Sequence, residues 1–364
     1  MGVMKSIILT ILLCLVCQVT WACGFGSPIA GGMCRGYLTS GTTWTVPSDW
    51  NNSSNTIECI GGGAAGDKGN DTPGIGAGGG GGAYSRSVNV VLSGTINYVV
   101  GAGGTTDAAN GGNTVFNGTT LLNVSATAGC AAEQGYGSAP NGAQVGGSPG
   151  LASNGTAVGL GAVKFSGGSA ICNTTGNWAN THGPVGAGGG AAGPLGAGGS
   201  VTWTEAPVTL QAGGNGGGGN GGGGNGGNTV TNPGANGGNN WSGSGGGPGG
   251  SSSATAGTAG TNGGGGGGGG YTAAGSNGGT GTEWDASHGS GGGGGANGDG
   301  NGVGTSNPPG NGALYGGGGA GGGDNSYTAF GTGAAGIIVI TYFSTASGQG
   351  ASVGNAAINN AVLN

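Results

Sequence analysis

The chain has few charged residues for its length. Its 364 residues include five Lys and Arg together and 11 Asp and Glu, so the formal net charge is −6. Such weak self-repulsion cannot keep a chain expanded, and without a basic cluster there is nothing to neutralise the phosphates of a nucleic acid. We therefore expect no nucleic-acid partner.

Proline and large aliphatic residues are also scarce, whereas glycine is abundant. Glycine accounts for 108 residues and proline for 12. Collagen combines a glycine content of this order with a strict Gly-X-Y period and abundant proline, and the unbroken glycine run 263–270 interrupts any such period. The composition excludes collagen and indicates another glycine-based architecture.

The N-terminus has the features of a secretory signal peptide over residues 1–22. Lys5 precedes an apolar stretch at 7–16, and Ala22 supplies a small residue before the expected cleavage site. A membrane anchor is the alternative, but the apolar stretch is about half of the roughly 20 residues that a span needs. We expect a secreted or cell-surface protein with no transmembrane segment after cleavage.

Export permits disulfides, and five cysteines follow the predicted cleavage site. At least one disulfide is therefore expected, with Cys23–Cys34 as the first candidate. An odd number leaves one thiol for an intermolecular bond, for a lipid or without a bond, and Cys23 is an alternative lipidation site because it directly follows Ala22. The five are Cys23, Cys34, Cys59, Cys130 and Cys172.

Residues 39–125 predict a small antiparallel β-sandwich-like domain, which makes the fold class all-β. Runs rich in Val, Ile, Thr and aromatic residues alternate there with Gly and Asn turns. Ser93 and Gly94 predict a tight turn that pairs the third run with the fourth as a hairpin. Residues 23–38 precede the domain as a short cysteine-containing lead. The runs are 42–46, 56–60, 83–92, 95–100 and 113–124.

A long glycine-rich insertion is predicted over residues 126–335. Between residues 176 and 335 there are nine Val, Ile, Leu and Phe, too few for a conventional core. The apolar run 336–343 predicts a strand that is buried on both faces and closes the β-domain by pairing with the early strands. Residues 344–364 form a small-residue tail, either a free end or a strand donated to a neighbouring subunit.

The insertion is expected to be ordered in large part as packed left-handed polyglycine-type helices and loops. Ordering glycine costs about 1–2 kcal/mol of backbone entropy per residue, and few side chains are present to offset this cost. Threefold extended segments without Cβ atoms can approach closely enough for N–H and C=O groups to bond between neighbours. A flexible glycine linker is the alternative.

Several segments occur in an order that resembles a known family. They are residues 39–47, 57–63, 78–85, 98–104, 111–116 and 333–340. Together they are similar to the glycine-rich domains of bacteriophage tail fibres and bacterial surface proteins, over roughly residues 39–343. The resemblance implies a small β-domain with glycine-rich loops or polyglycine helices, used for structure or receptor contact. The signal peptide and the cysteines depart from a phage fibre, so the resemblance favours the fold more than the phage role.

Two motifs that bind phosphate or calcium are incomplete. None of Lys5, Lys68 and Lys164 lies in the Gly-Lys-Ser/Thr pattern of a P-loop. Residues 297–302 resemble the start of a calcium loop, but Pro308 stands where the bidentate Glu belongs. We predict no cofactor and no metal.

The best polar constellation is formed by Glu283, Asp285 and His288. These residue types could ligate a metal, or His288 could activate the adjacent Ser287. A solvated loop explains the same residues, and neighbouring Ser and His side chains need not meet. We therefore predict that the protein is not an enzyme.

Aromatic residues spaced through the glycine-rich section are the candidate ligand contacts. At loop tips they could stack on a ligand such as a sugar, whereas the alternative is that each fills a gap between glycine segments. The candidates are Trp178, Trp203, Trp241, Tyr271, Trp284 and Tyr315.

Two function classes fit these features. The first is a secreted, non-catalytic structural or adhesive surface protein, a fibre or matrix component that self-associates or binds a cell-surface or glycan ligand. The alternative is a phage tail-fibre-like receptor-binding domain with the same fold. Ice binding would favour a regular array of Thr, and the spacing of Thr along the sequence has no such regularity.

Overall fold

The computed structural model describes residues 23–68, 78–118, 130–132, 163–170, 187–200, 236, 256–261, 263–268, 275–294, 309–322 and 329–347. Apart from two short 3₁₀ turns, Ala30–Gly32 and Thr345–Ser347, the regular structure in these ranges consists of β-strands. The strand pairs are antiparallel. The all-β fold class is confirmed. No helix within these ranges is long and apolar enough to cross a membrane.

The strands of the described chain form two sheets, of order β1-β2-β10-β4-β5-β9 and β3-β6-β7-β8. The strands are β1 (Ser27–Ile29), β2 (Met33–Leu38), β3 (Thr43–Thr45), β4 (Asn55–Ile60), β5 (Tyr84–Val88), β6 (Thr95–Val99), β7 (Thr114–Phe116), β8 (Cys130–Ala132), β9 (Val163–Phe165) and β10 (Ile337–Phe343).

The chain divides into two compact units. Unit 1 comprises Met1–Gly36, Pro47–Asn51 and Thr341–Asn364, and unit 2 comprises Tyr37–Val46 and Asn52–Ile340.

In unit 1 the cysteine-containing lead forms a strand pair. β1 runs antiparallel to β2, with Pro28 opposite Cys34. Cys34 forms a disulfide with Cys23, which confirms the predicted bond. The sequence pattern predicted no strand in this lead, because its apolar stretches are short and interrupted by glycine.

A buried carboxylate, Asp49, holds the stretches of unit 1 together. It accepts hydrogen bonds from the Ser344 hydroxyl at 2.7 Å, the Tyr342 hydroxyl at 3.1 Å and the Gly24 amide at 3.2 Å. The Trp50 and Tyr342 ring centroids lie 5.2 Å apart. Burial raises the pKa of Tyr342 to about 12, and the nearby Asp49 charge adds to this rise. These bonds satisfy a carboxylate that would otherwise be costly to bury.

In unit 2, β4 lies in a tightly packed part of the first sheet. It pairs antiparallel with β5, with Ile60 opposite Tyr84, and β5 continues the sheet to β9. Ile57 and Ile60 are fully buried, as are Ile337 and Ile338 at the start of β10. The strand order places β10 beside β4, so the predicted pairing of the closing strand with an early strand is confirmed.

The predicted hairpin over residues 83–100 is wrong. β5 belongs to the first sheet, whereas β6 belongs to the second sheet, where it pairs with β3 and β7. The chain changes direction just after β5, because Asn89 has a φ of 53° and the Asn55 side chain binds both the N–H and the C=O of Val90. It has therefore left the first sheet before it reaches the predicted turn.

Candidate functional site

Unit 2 contains glycine-rich segments that bond to one another through their backbones. They lie outside the strands, and we call them together the glycine array. The segments are 61–66, 78–83, 101–105, 109–113, 187–192, 256–261, 263–268, 275–283, 289–294, 309–322 and 329–336.

The backbone hydrogen bonds of the array repeat every three residues. In segment 61–66, each pair of amides three residues apart donates to the same neighbour: Gly61 and Ala64 to 78–83, Gly62 and Ala65 to 109–113, and Gly63 and Gly66 to 329–336. Their N–O distances are 2.8–3.0 Å. Successive residues of one segment therefore bond to three different neighbours, which neither an α-helix nor a β-sheet does.

Segment 187–192 follows the same rule. Its amides again donate in pairs three residues apart: Gly188 and Ala191 to 289–294, and Gly189 and Ala192 to 78–83. The buried N–H and C=O groups thus bond to neighbouring segments and not within their own segment. Each buried backbone group needs such a partner, because leaving it unpaired is costly.

The segments lie too close together for side chains to stand between them. A Cβ atom on Gly63 would come within 2.2 Å of the Gly317 carbonyl oxygen, and one on Gly81 within 2.1 Å of that of Gly190. Neither Gly63 nor Gly81 has a left-handed φ. Lack of space, and not an unusual backbone conformation, requires glycine at these positions.

A buried carboxylate on β4 binds Trp284, which directly follows array segment 275–283. Glu58 is 6% exposed and accepts hydrogen bonds from the Tyr84 hydroxyl at 2.6 Å and from the Trp284 indole N–H at 3.0 Å. The Trp284 ring belongs to a core cluster with Ile60 and Ile337. Both oxygens of the buried carboxylate have partners, as buried charges require.

A second carboxyl group lies next to this cluster. The backbones of Gly281 and Gly289 closely approach the Glu283 carboxyl group, which accepts bonds from the amide of Ser290 at 2.9 Å and from its hydroxyl. Burial raises the pKa of Glu283 to about 8, against the lowering effect of the Ser290 bonds, and the charge of Glu58 adds to the rise. Glu283 is therefore mostly protonated at neutral pH.

Asp285, Ser287 and His288 form a small turn. One Asp285 oxygen accepts bonds from the amides of Ser287 and His288 at 2.8 and 2.9 Å, and the His288 Nδ1 lies 2.7 Å from it. Burial alone would raise the pKa of Asp285, but bonds from the Ser287 amide, the Tyr37 side chain and His288 outweigh this and lower it below its usual range. Asp285 is ionised at neutral pH.

The His288 ring lies between two tyrosine rings. Its centroid is 3.7 Å from that of Tyr37 and 5.7 Å from that of Tyr315, and both pairs are parallel to within 5°. Burial and the charge of Asp285 raise the pKa of Tyr315. With Asp285 beside it, this stack attaches the turn to the core of unit 2.

The turn does not have the geometry of a catalytic triad. A triad needs the acid at one imidazole nitrogen and the nucleophile at the other. Here Asp285 and the Ser287 hydroxyl both contact Nδ1 of His288, at 2.7 and 3.2 Å. Within the described ranges, no group of three or more His, Cys, Asp and Glu could hold a metal ion.

Two of the predicted ligand contacts lie within the described residues. Trp284 and Tyr315 are each 8% exposed and belong to the core cluster. Trp178, Trp203, Trp241 and Tyr271 lie outside the described residues. Ligand contact by these six aromatic residues stays a prediction.

Sequence reasoning missed the partners of the turn. Glu58, Tyr84 and Tyr37 precede Trp284 and His288 by about 200 residues or more in the sequence, and the glycine-rich section separates them. The one available signal was Glu58 itself, a charged residue between Ile57 and Cys59 in a predicted strand, which predicts a buried partner.

The chain matches no protein-family model and no curated protein sequence.

Proposed function

We propose that the protein is a secreted, non-catalytic structural or adhesive surface protein. The observation that carries this proposal is the glycine array, in which backbone hydrogen bonds with a three-residue period join segments far apart in the sequence. An array held by its backbone leaves the outward side chains available for contact with other molecules. The disulfide Cys23–Cys34 suits an exported protein, since such bonds persist in oxidising compartments.

We propose further that the array segments are left-handed polyglycine-type helices. A threefold extended helix turns by 120° per residue, so its amides point to the same neighbour every third residue. The bonding of segments 61–66 and 187–192 follows that period. Hydrogen exchange provides the test: we expect strong protection of amides in 61–66 and 263–268. Exchange at random-coil rates there would support a flexible linker instead.

Export and adhesion test the proposed function. An antibody against the mature chain should detect the protein on intact cells of the source organism or in their medium, and deletion of the gene should reduce attachment of those cells to surfaces. A protein retained inside the cells, or attachment unchanged by the deletion, would contradict the proposal.

A phage tail-fibre-like receptor-binding domain is the second candidate. It is favoured by the resemblance of residues 39–47, 57–63, 78–85, 98–104, 111–116 and 333–340 to the glycine-rich domains of tail fibres. In this case the antibody should detect the protein in purified virions, and these virions should lose receptor binding when the antibody is added.

A further inference from the structure

Five segments of the glycine array form a single layer. In order across the layer they are 256–261, 275–283, 309–315, 329–336 and 101–105. The backbone bonds that join neighbours run from Gly257 to Asn277, from Gly278 to Asn311, from Gly312 to Thr332 and from Gly333 to Gly104.

One row of side chains on the exposed side of this layer contains only Thr and Asn over four neighbouring segments, 275–283, 309–315, 329–336 and 101–105. Each of these four segments contributes one member, and three of the four members are exposed while Thr332 is half-buried. Segments joined by N–H···O=C bonds lie about 4.8 Å apart, so the row is evenly spaced. We call it the polar row: Asn277, Asn311, Thr332 and Thr105.

Hydrogen bonds fix part of the polar row. The Oδ1 atom of Asn277 accepts the Asn311 amide at 2.9 Å. The Oδ1 atom of Asn311 accepts the Thr332 amide at 2.8 Å and the Thr332 hydroxyl at 3.1 Å. Side chains that are already ordered lose little entropy when a ligand binds.

A second row follows three residues along each segment. At a rise of about 3.1 Å per residue it lies about 9 Å from the polar row. Three of its four members are apolar: Leu314 is 47% exposed, Ala102 is exposed and Ala335 is half-buried. An apolar strip therefore runs beside the polar row.

Neither row contains a charged side chain. Close by, Lys68 and Asp107 pair with each other at 3.1 Å, and the Glu283 carboxyl group is enclosed by Gly281, Gly289 and Ser290. A face of this kind has nothing to attract an anionic or a cationic polymer. It matches a ligand that is uncharged, repetitive and both polar and apolar.

We propose that the polar row and the apolar strip bind an uncharged polysaccharide. Thr hydroxyls and Asn amides each donate and accept, as sugar hydroxyls do, and the C–H faces of sugar rings pack on apolar surface such as Leu314. The repeat of the face suits a polymer whose units recur along the chain. This inference rests on the proposed adhesive function and names the ligand class of that function.

Binding to insoluble polysaccharides is the test. The purified mature protein is mixed with suspensions of crystalline cellulose and of chitin, and the unbound fraction is measured at low and at high salt. We expect binding to at least one of the two, with little dependence on salt because no charges are involved. Ala102→Arg and Leu314→Arg should each weaken binding about tenfold or more, since a bulky charge then stands on the face.

Val91→Arg is the matched control. Val91 is 67% exposed and lies outside both rows, so the same change there should leave binding intact. Circular dichroism of each variant checks that it folds. Wild-type protein that binds neither polysaccharide, or face variants that bind as tightly as wild type, would overturn the proposal.

The same protein samples also test two other possible ligands of the face, ice and a second copy of the protein. Adsorption to ice without binding to either polysaccharide would overturn the proposal, and so would dimerisation in solution that Ala102→Arg abolishes while the polysaccharides stay unbound. If Ala102→Arg leaves the attachment of cells unchanged, the proposed role of this face is wrong but the proposed adhesive function still stands. If deletion of the whole gene leaves attachment unchanged, the proposed adhesive function itself is wrong.

Discussion

The first sheet and the glycine array of unit 2 satisfy their buried backbone in different ways. In the sheet, antiparallel ladders such as that of β4 and β5 bond the backbone within the sheet, and the side chains pack on its two faces. Ile57, Ile60 and Ile337 are fully buried in this way. In the array, residues bond in three directions and the space between segments is filled by backbone. The sheet thus gains stability from side-chain burial and the array from close backbone packing.

The difference predicts opposite responses to substitution. A sheet position should tolerate a smaller apolar side chain at modest cost and should not tolerate a charge. An array position should not tolerate even a methyl group where a carbonyl oxygen occupies the Cβ position. Glu283 and Trp284 join the two regions, because Trp284 donates to Glu58 in the sheet and Glu283 accepts from Ser290 in the array. A change in the charge of Glu283 should therefore affect stability at this junction.

The largest effect is expected in the sheet. Ile338 is fully buried in β10, and Ile338→Lys would bury an unpaired charge at a cost of several kcal/mol against a total stability of about 5–15 kcal/mol. We expect the variant not to fold, as measured by thermal unfolding and circular dichroism. Ile338→Val is the control and should cost about 1 kcal/mol. A melting temperature unchanged by Ile338→Lys would show that side-chain burial does not stabilise this strand.

The next effect is a pH dependence at the junction of the two regions. The pKa of Glu283 rises from 4.5 to about 8 on folding because the group is buried, so the folded state holds a proton that the unfolded state loses between these values. The contribution of Glu283 to the free energy of unfolding should be largest below about pH 4.5 and should fall by about 2–4 kcal/mol as pH rises to about 8.

Glu283→Gln tests this pH dependence. The amide keeps the shape without the charge, so the unfolding free energy of the variant should lose this decline between pH 5 and 8 and should exceed that of wild type at pH 8. Urea unfolding at a series of pH values measures it. Equal slopes for wild type and variant would place the titrating group elsewhere.

A methyl group in the array is expected to have a smaller effect. Gly63→Ala would bring a Cβ within 2.2 Å of the Gly317 oxygen, and the resulting displacement should cost about 1–3 kcal/mol. Ala64→Gly next to it is the matched control and should cost about 1 kcal/mol, because it removes a buried methyl and adds backbone freedom. If both substitutions destabilise equally, close backbone packing does not explain the choice of glycine.

Sequence patterns predicted the sheet better than the site. The runs that form β4 and β10 are recognisable from their Ile, Val and Thr residues. The Cys23–Cys34 disulfide was predictable from the expected export of the chain and from the short distance between the two cysteines in the sequence. The hairpin prediction failed because Asn55 redirects the chain through bonds to Val90, which no local pattern encodes.

The polar row was hidden for a related reason. Its Thr and Asn residues are irregularly spaced along the chain, and they align only because backbone bonds bring four separate segments into one layer. Likewise, Glu58 and Trp284 are separated by 226 positions, so their hydrogen bond depends on how the whole array folds back onto β4. Periodicity within a segment is local and readable, whereas the register between glycine segments is set by tertiary structure.

The smallest effect should come from a glycine chosen for conformation and not for space. Gly94 has a φ of 71° and nothing within 4 Å of its Cβ position, the reverse of the situation at Gly63. Gly94→Ala should therefore cost only the strain of a left-handed alanine, about 1 kcal/mol, and Gly94→Asn should cost less because Asn adopts this conformation more readily. At Gly63 the order should differ, since Asn is larger than Ala and the obstacle is the Gly317 carbonyl. Urea unfolding of the four variants distinguishes the two causes: asparagine should be the better substitute at Gly94 and the worse one at Gly63. The same order of Ala and Asn at both positions would contradict the distinction between conformation and close packing on which the comparison of sheet and array depends.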